Sequence, residues 1–280
     1  MKDRAYAKIN LALEVGPARM DGYHDLKMVM VPIDFYDRVE VVESDEDALI
    51  CDRGYIPLNQ KNTMYQALTI LRKRYHFQNK FLIQLQKQIP VRAGLAGGSA
   101  DAAAVIRILN RMMKLHMSQE EMIDVGLLVG ADVPFCLFNK PCIVEGKGEV
   151  LVPIDIHTNL EILLVKPKAG ISTKEAFNSI REEDKVPLDI SKLVQALRND
   201  DYDTLVHHLG NHLEPVAIRL VPKIQEVKEA ILKLGFDAAL MSGSGSTVFG
   251  ITKSQELVQT AFEEFKKKGY FVRRTHIWKR

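Results

Sequence analysis

An α+β fold, with strands and helices mixed rather than strictly alternated, follows from three features of this 280-residue chain. The first third alternates polar and apolar residues at the two-residue period of half-buried strands, the middle carries apolar stripes at helical spacing, and the remainder interleaves both patterns. At 46% hydrophobic residues the chain can bury a sizeable core, and its length suits one large or two medium domains. A formal net charge of +2, with no block of five or more like charges, gives no reason to expect a nucleic-acid or membrane partner. Small molecules are the expected partners.

The elements follow in order. Residues 4–15 set Tyr6, Lys8 and Asn10 on one side and Ala7, Ile9, Leu11 and Leu13 on the other, the pattern of a strand with one polar face. Met28 to Phe35, Arg38 to Val42 and Phe81 to Gln86 read as further strands, the first two punctuated by Pro32 and Asp37. Asn62 to Tyr75 carries Met64, Ala67, Leu68 and Leu71 at the spacing of an amphipathic helix, and Ala102 to Leu115 does so with Val105, Ile106, Leu109 and Met113. Ser118 followed by Glu121 is a capping-box signature for a helix ending near Gly130. The polar, turn-rich stretch from Glu145 to Asn159 marks a domain boundary, giving domains of residues 1–157 and 158–280. Beyond it, a strand is expected at Glu161 to Val165. Helices are expected near Ser172 and over Ile190 to Leu197, Tyr202 to Leu213, Lys223 to Leu234 and Ser254 to Lys268, with strands at Ala238 to Met241, Thr247 to Ile251 and Tyr270 to Thr275.

Every uninterrupted apolar run is far shorter than the roughly 18 residues that span a bilayer, and the N-terminal segment lacks the apolar stretch of a secretion signal. Cys51, Cys136 and Cys142 are odd in number and without CxxC spacing, which suits reduced thiols. A cytoplasmic location is expected.

The segment richest in chemistry is Pro90-Val91-Arg92-Ala93-Gly94-Leu95-Ala96-Gly97-Gly98-Ser99-Ala100-Asp101, a glycine-rich turn running into a helix. Glycines let the backbone approach a ligand, and free amide groups at the positive end of a helix form an anion site, so phosphate is the expected guest. Neither the Walker A pattern nor the dinucleotide G-x-G-x-x-G occurs, so another nucleotide-binding design is required. A second cluster, Met241-Ser242-Gly243-Ser244-Gly245-Ser246-Thr247, could add backbone donors, although a simple hairpin explains it equally well. In Gly130-Ala131-Asp132-Val133-Pro134-Phe135, Asp132 follows a helix, with Pro134 expected to hold the residue before it extended. Lys8 and Asn10 are its potential catalytic partners; the alternative for them is a solvated strand face. His207, His208 and His212 lack metalloprotease spacing and read as a partly exposed helix face.

Taken together, Ala7-Lys8-Ile9-Asn10-Leu11, Arg19-x-Asp21-Gly22-Tyr23-His24, the Gly94 loop, the Asp132 segment and Ser242-Gly243-Ser244-Gly245 resemble the GHMP kinase superfamily over nearly the whole chain. The resemblance implies a two-domain fold, with an N-terminal domain like the second domain of ribosomal protein S5 that binds ATP and a C-terminal ferredoxin-like domain. It implies ATP, with Mg²⁺, phosphorylating a hydroxyl of a small alcohol that carries a cytidine diphosphate. On this likeness Asp132 accepts the hydroxyl proton, Lys8 stabilises the reacting groups and Asn10 helps to place the substrate. Tyr23, His24 and Phe177 match cytosine-contacting positions, and Thr173 matches a position near the diphosphate. Asn62 matches an adenine-recognising position, while Gly94, Leu95, Ala96, Gly97, Gly98 and Ser99 would wrap the triphosphate. The chain departs from the common family pattern at Ala96 and Ala100: the first suits a tight loop only if its φ is negative, and the second lacks a hydroxyl that Ser99 retains. Protein ligands to Mg²⁺ are not assigned. A GHMP kinase for another small alcohol, or a non-catalytic nucleotide- or RNA-binding homologue, remains the alternative.

Overall fold

The computed structural model describes residues 1–20 and 22–279; Asp21 of the Arg19 to His24 motif lies outside them. The chain forms two compact units, one of Met1–Ala7, Phe35–Val91 and Ala96–Asn139, the other of Lys8–Asp34, Arg92–Leu95 and Lys140–Arg280. Two long strands, β1 (Lys2–Ala18) and β2 (His24–Ser44), each give one stretch to each unit. The two strands expected around Met28 to Val42 are therefore one. Pro32 gives up only its own N–H, its carbonyl still accepting from the Trp278 amide, and Asp37 turns a fully buried carboxylate inward instead of ending the strand.

In the first unit, β3 (Ala48–Cys51) is followed by α1 (Thr63–Tyr75) and β4 (Lys80–Gln86). β4 pairs antiparallel with β2, from Arg38 opposite Gln86 to Ser44 opposite Lys80, and parallel with β3 on its other edge. The predicted stripe of Met64, Ala67, Leu68 and Leu71 is the buried face of α1, which packs on α2 (Gly97–Met112). Full burial of each large aliphatic side chain contributes about 1.5–3 kcal/mol. α2 begins five residues before the expected Ala102, so the glycines belong to its first turn. α3 (Gln119–Val129) opens on the predicted capping box, with Glu121 N–H donating to Ser118 Oγ at 3.1 Å and Ser118 N–H donating to Glu121 Oε2 at 2.8 Å. α4 (Val133–Phe138) follows directly. Val133 is helical, not extended, because Pro134 falls in the first turn, where a missing N–H leaves no helical bond unmade.

In the second unit, β5 (Cys142–Gly146) pairs with the Leu26 to Met30 stretch of β2, and β6 (Val150–Pro153) returns along β5, so the stretch expected to be irregular contains a strand. Next come β7 (Glu161–Lys166), α5 (Thr173–Asn178) and α6 (Ile190–Asn199). The single helix expected over Tyr202 to Leu213 is instead α7 (Tyr202–His207), a short strand β8 (Gly210–Asn211) parallel to Ala12 and Leu13 of β1, and α8 (Leu213–Leu220). Gly210 is the cause: a Cβ there would stand 2.3 Å from Leu188 Cδ2, and the close approach lets its backbone join β1. After α9 (Lys223–Lys233) come β9 (Ala238–Met241), β10 (Val248–Thr252), α10 (Gln255–Lys267) and β11 (Phe271–Thr275). The four-stranded antiparallel sheet runs β11-β7-β10-β9, the order and connectivity of a ferredoxin-like β-α-β-β-α-β unit. No helix among the described residues is long and apolar enough to cross a membrane.

Candidate active site

Within the second unit, β1 places Lys8 and Asn10 on the same side of the strand, two residues apart. Neither is solvated: Lys8 is 3% exposed and Asn10 fully buried, and Lys8 Nζ donates to Asn10 Oδ1 at 2.6 Å. Asn10 Nδ2 in turn points at Met28 Sδ, 3.4 Å away. Burying an ammonium is costly unless it is well paired, and here its one partner among the described residues is a neutral carboxamide.

Both glycine turns meet at this lysine. The Lys8 amide donates to the Leu95 carbonyl at 3.2 Å, and Ser242 Oγ donates to the Gly94 carbonyl at 2.9 Å. Gly94, at φ +72, leaves no room for a side chain, since a Cβ would stand 1.9 Å from the Ser242 carbonyl oxygen. At Gly243 a Cβ would lie 3.0 Å from Lys8 Nζ. The second cluster is thus more than a hairpin tip: it is packed against the first loop and the lysine.

In the first unit the loop continues as Ala96 to Ser99. Ala96 is the N-cap of α2 and adopts φ +56, so this alanine sits in the left-handed region, contrary to the negative φ on which its tolerance was expected to depend. No side chain caps this helix and its first turn holds no acid, which leaves the amide groups of Gly97, Gly98 and Ser99 at the positive end of the dipole. Asn62 caps α1, accepting from the Met64 amide at 2.9 Å and donating to the Pro57 carbonyl at 2.8 Å, while the adjacent Thr63 Oγ1 donates to the Gly98 carbonyl at 2.7 Å. Asn62 therefore lies beside the loop, but with both ends of its amide engaged.

Beneath the same turn is a cluster that sequence reasoning missed. Lys87 Nζ lies 2.5 Å from Asp37 Oδ2 and 2.5 Å from Asp101 Oδ2, all three residues being at most 3% exposed, and a Cβ at Gly97 would stand 3.0 Å from this ammonium. Asp37 Oδ1 also accepts from the Gln88 and Ile89 amides, whereas the buried Asp101 Oδ1 has no partner. Burial, reinforced by Asp37 and opposed by Lys87, pushes the Asp101 carboxyl up to about 8; for Lys87 the two carboxylates outweigh burial and raise it. The available signals were an aspartate inside a strand pattern and another in an alanine-rich helix.

Asp132 is half-buried at the N-cap of α4 and makes no capping bond, so its carboxylate is not used to hold the helix; its carbonyl accepts from Cys136 N–H at 3.2 Å. The close packing of α3 on α4 that fixes this corner passes through Gly126, where a Cβ would be 2.7 Å from Leu137 Cδ1.

Two of the three aromatic candidates come together in the second unit. The rings of His24 and Phe177 stack with centroids 5.8 Å apart at 26°, and Phe177 is half-buried rather than a core residue. His24 Nδ1 is 3.1 Å from the Gly16 carbonyl, which assigns the proton to Nδ1. Tyr23 is exposed, with the Lys147 ammonium 5.5 Å from its ring centroid. Thr173 Oγ1 is 3.0 Å from Ser244 Oγ, which ties the exposed start of α5 to the second glycine turn. The histidine group is elsewhere: His207 and His208 bond carbonyls one turn back, and His212, unlike the expected exposed face, is buried, accepting from Val15 N–H and bonded to the Val186 carbonyl.

A glycine turn running into an uncapped helix, and a buried lysine between that turn and the β9–β10 turn, belong to a recognisable class. Residues 62–140 match the family model for the GHMP kinases N terminal domain and residues 193–270 that for GHMP kinases C terminal; the chain belongs to the GHMP kinase family and is a small-molecule kinase. It is 40% identical over 276 residues to a protein of Streptococcus mutans serotype c provisionally named 4-diphosphocytidyl-2-C-methyl-D-erythritol kinase, covering 97% of this chain and 98% of that one. A relative of the same provisional name from Streptococcus equi subsp. zooepidemicus is 42% identical over 278 residues, with the same shares covered. Among solved structures, a crystal structure of 4-(cytidine 5'-diphospho)-2C-methyl-D-erythritol kinase superposes with a TM-score of 0.83 at 30% identity, covering 100% of both chains. Homoserine kinase from Cytophaga hutchinsonii, at TM-score 0.78 and 21% identity over 99% of this chain and 94% of that one, shares the fold.

Proposed function

We propose that this kinase transfers the γ-phosphoryl group of ATP to the 2-hydroxyl of 4-diphosphocytidyl-2-C-methyl-D-erythritol, in the non-mevalonate route to isoprenoid precursors. The observation that carries the reading is the buried Lys8–Asn10 pair enclosed by the Gly94 and Gly243 turns; the relatives' names supply the acceptor. Phosphoryl transfer needs positioning and charge stabilisation more than covalent chemistry. The loop from Gly94 to Ser99 wraps the triphosphate with its backbone amides, and Asn62 lies at the adenine end. Lys8 stabilises the charge on the reacting oxygens, Asn10 orients Lys8 and helps to place the acceptor, and Asp132 takes the proton of the attacking hydroxyl. Tyr23 and Phe177 offer ring faces to cytosine, His24 its ring edge, and Thr173 its hydroxyl to the diphosphate. When bound with ATP, Mg²⁺ would supply neutralisation of the phosphate charge.

On this reading the family's domain division falls at 157/158, and the protein works in the cytoplasm, in keeping with its three free cysteines. The test is to incubate the protein with Mg-ATP and 4-diphosphocytidyl-2-C-methyl-D-erythritol, homoserine or mevalonate, and to identify products by mass spectrometry. A phosphorylated cytidine compound with ADP, and no comparable product from the other acceptors, is expected. Preferential phosphorylation of another acceptor would overturn the substrate assignment.

A further inference from the structure

The turn after β9 forms one wall around Lys8. Gly243 has φ +55, and a Cβ there would stand 2.9 Å from the Gly94 carbonyl oxygen as well as 3.0 Å from the lysine ammonium. What fixes this wall comes from the broken helix around Gly210. Asn211, 6% exposed, donates through Nδ2 to the carbonyls of Met241 and Gly243, both at 2.8 Å, and accepts at Oδ1 from the Leu213 amide at 2.9 Å. Glu214, in the first turn of α8, accepts the Met241 amide at 2.8 Å through Oε1 and holds Lys228 at 2.5 Å through Oε2. A residue that merely capped α8 would need only the bond to Leu213; both Nδ2 bonds reach the turn beside Lys8.

We infer that Asn211, assisted by Glu214, is a positioning residue of the phosphoryl transfer, acting through the Met241–Gly243 turn on Lys8. By engaging the Met241 and Gly243 carbonyls, Asn211 fixes the turn in which Gly243 stands against the lysine ammonium. Lys8, held by Asn10, then keeps its other N–H groups for the reacting phosphoryl. The inference rests on the role proposed for Lys8. It assigns work to a side chain that no motif in the sequence had marked.

The test is Asn211→Asp, which keeps the shape and the acceptor for Leu213 but turns a carboxylate toward two carbonyl oxygens. With Mg-ATP and 4-diphosphocytidyl-2-C-methyl-D-erythritol at pH 8, kcat is expected to fall roughly 10- to 100-fold, with KM for both substrates within about threefold. Part of that kcat should return toward pH 6, where a protonated carboxyl supplies one O–H donor; wild type should show no such gain. Unfolding midpoints taken on the same samples separate this from general destabilisation. A folded variant with kcat within about twofold of wild type, or a loss carried by KM alone, would overturn the inference. Should Asn211→Asp not fold, Glu214→Ala, which frees the Met241 amide, is expected to show a smaller loss in kcat; if neither folds, these side chains are structural and the inference fails. Lys8→Ala in parallel distinguishes the failures: undiminished turnover there refutes the role of Lys8 itself, whereas loss there with an intact Asn211→Asp refutes only the positioning role.

Discussion

The two units each bury a lysine to the same degree, 3% exposed, and surround it oppositely. Lys87 is clasped by two carboxylates, one of which also takes two backbone amides; Lys8 has the neutral carboxamide of Asn10 and a wall of glycine backbone. An ammonium held against a buried carboxylate, as Lys87 is against Asp37, has its charge cancelled inside the protein and can do little for a ligand, while one with a neutral partner keeps its field for whatever enters. On the proposed function the first arrangement supports a loop, and the second serves chemistry. Fractional burial alone would have ranked the two alike.

The sharpest break between them is to replace each lysine by methionine. Lys8→Met is expected to lower kcat about 10²–10³-fold, as is Asp132→Asn, with little loss of stability; steady-state kinetics beside denaturant unfolding will show whether the effects divide this way. Lys87→Met should instead cost about 3–5 kcal/mol of folding stability, because it leaves the buried Asp37 carboxylate without a cation. A midpoint in denaturant unchanged from wild type would remove the structural role assigned to Lys87.

A smaller effect concerns the surplus carboxylate. Burial, with the Asp37 carboxylate beside it, pushes the Asp101 carboxyl up from its ordinary 3.8 to about 8, so the folded state holds a proton that the unfolded chain releases. Its contribution is complete below about pH 4 and declines as pH rises toward 8, with a slope of at most about 1.4 kcal/mol per pH unit. Asp101→Asn should flatten the stability profile between pH 6 and 8, which urea unfolding at several pH values will measure. The smallest change is Ala96→Gly, which relieves the left-handed strain at the loop and should stabilise the protein by up to about 1 kcal/mol, read as a rise in the thermal midpoint.

What could be read in the sequence was local. The stripe of α1, the capping box of α3 and the strands of the ferredoxin-like half follow from periodicity and caps, and they stand where expected. What the sequence hid depended on contacts distant along the chain. Asp37 continues a strand because Lys87, fifty residues on, receives it, and Gly210 breaks a helical stripe because β1 and Leu188 approach it. Lys8 and Asn10 were legible as a pair on one face of a strand, but their burial was not, since alternation marks the polar side without saying whether water reaches it. Asn211 was concealed by the same broken helix that gives it its position.

The measurement that bears most directly on the central claim is a rapid-quench single turnover with γ-labelled Mg-ATP and 4-diphosphocytidyl-2-C-methyl-D-erythritol, comparing wild type, Lys8→Met and Lys87→Met under conditions where each is folded. Label should pass to the acceptor in wild type, slow about 10²–10³-fold in Lys8→Met and change by less than about tenfold in Lys87→Met. Transfer undiminished in Lys8→Met, or lost equally in both variants, would contradict the division of labour between the two buried lysines.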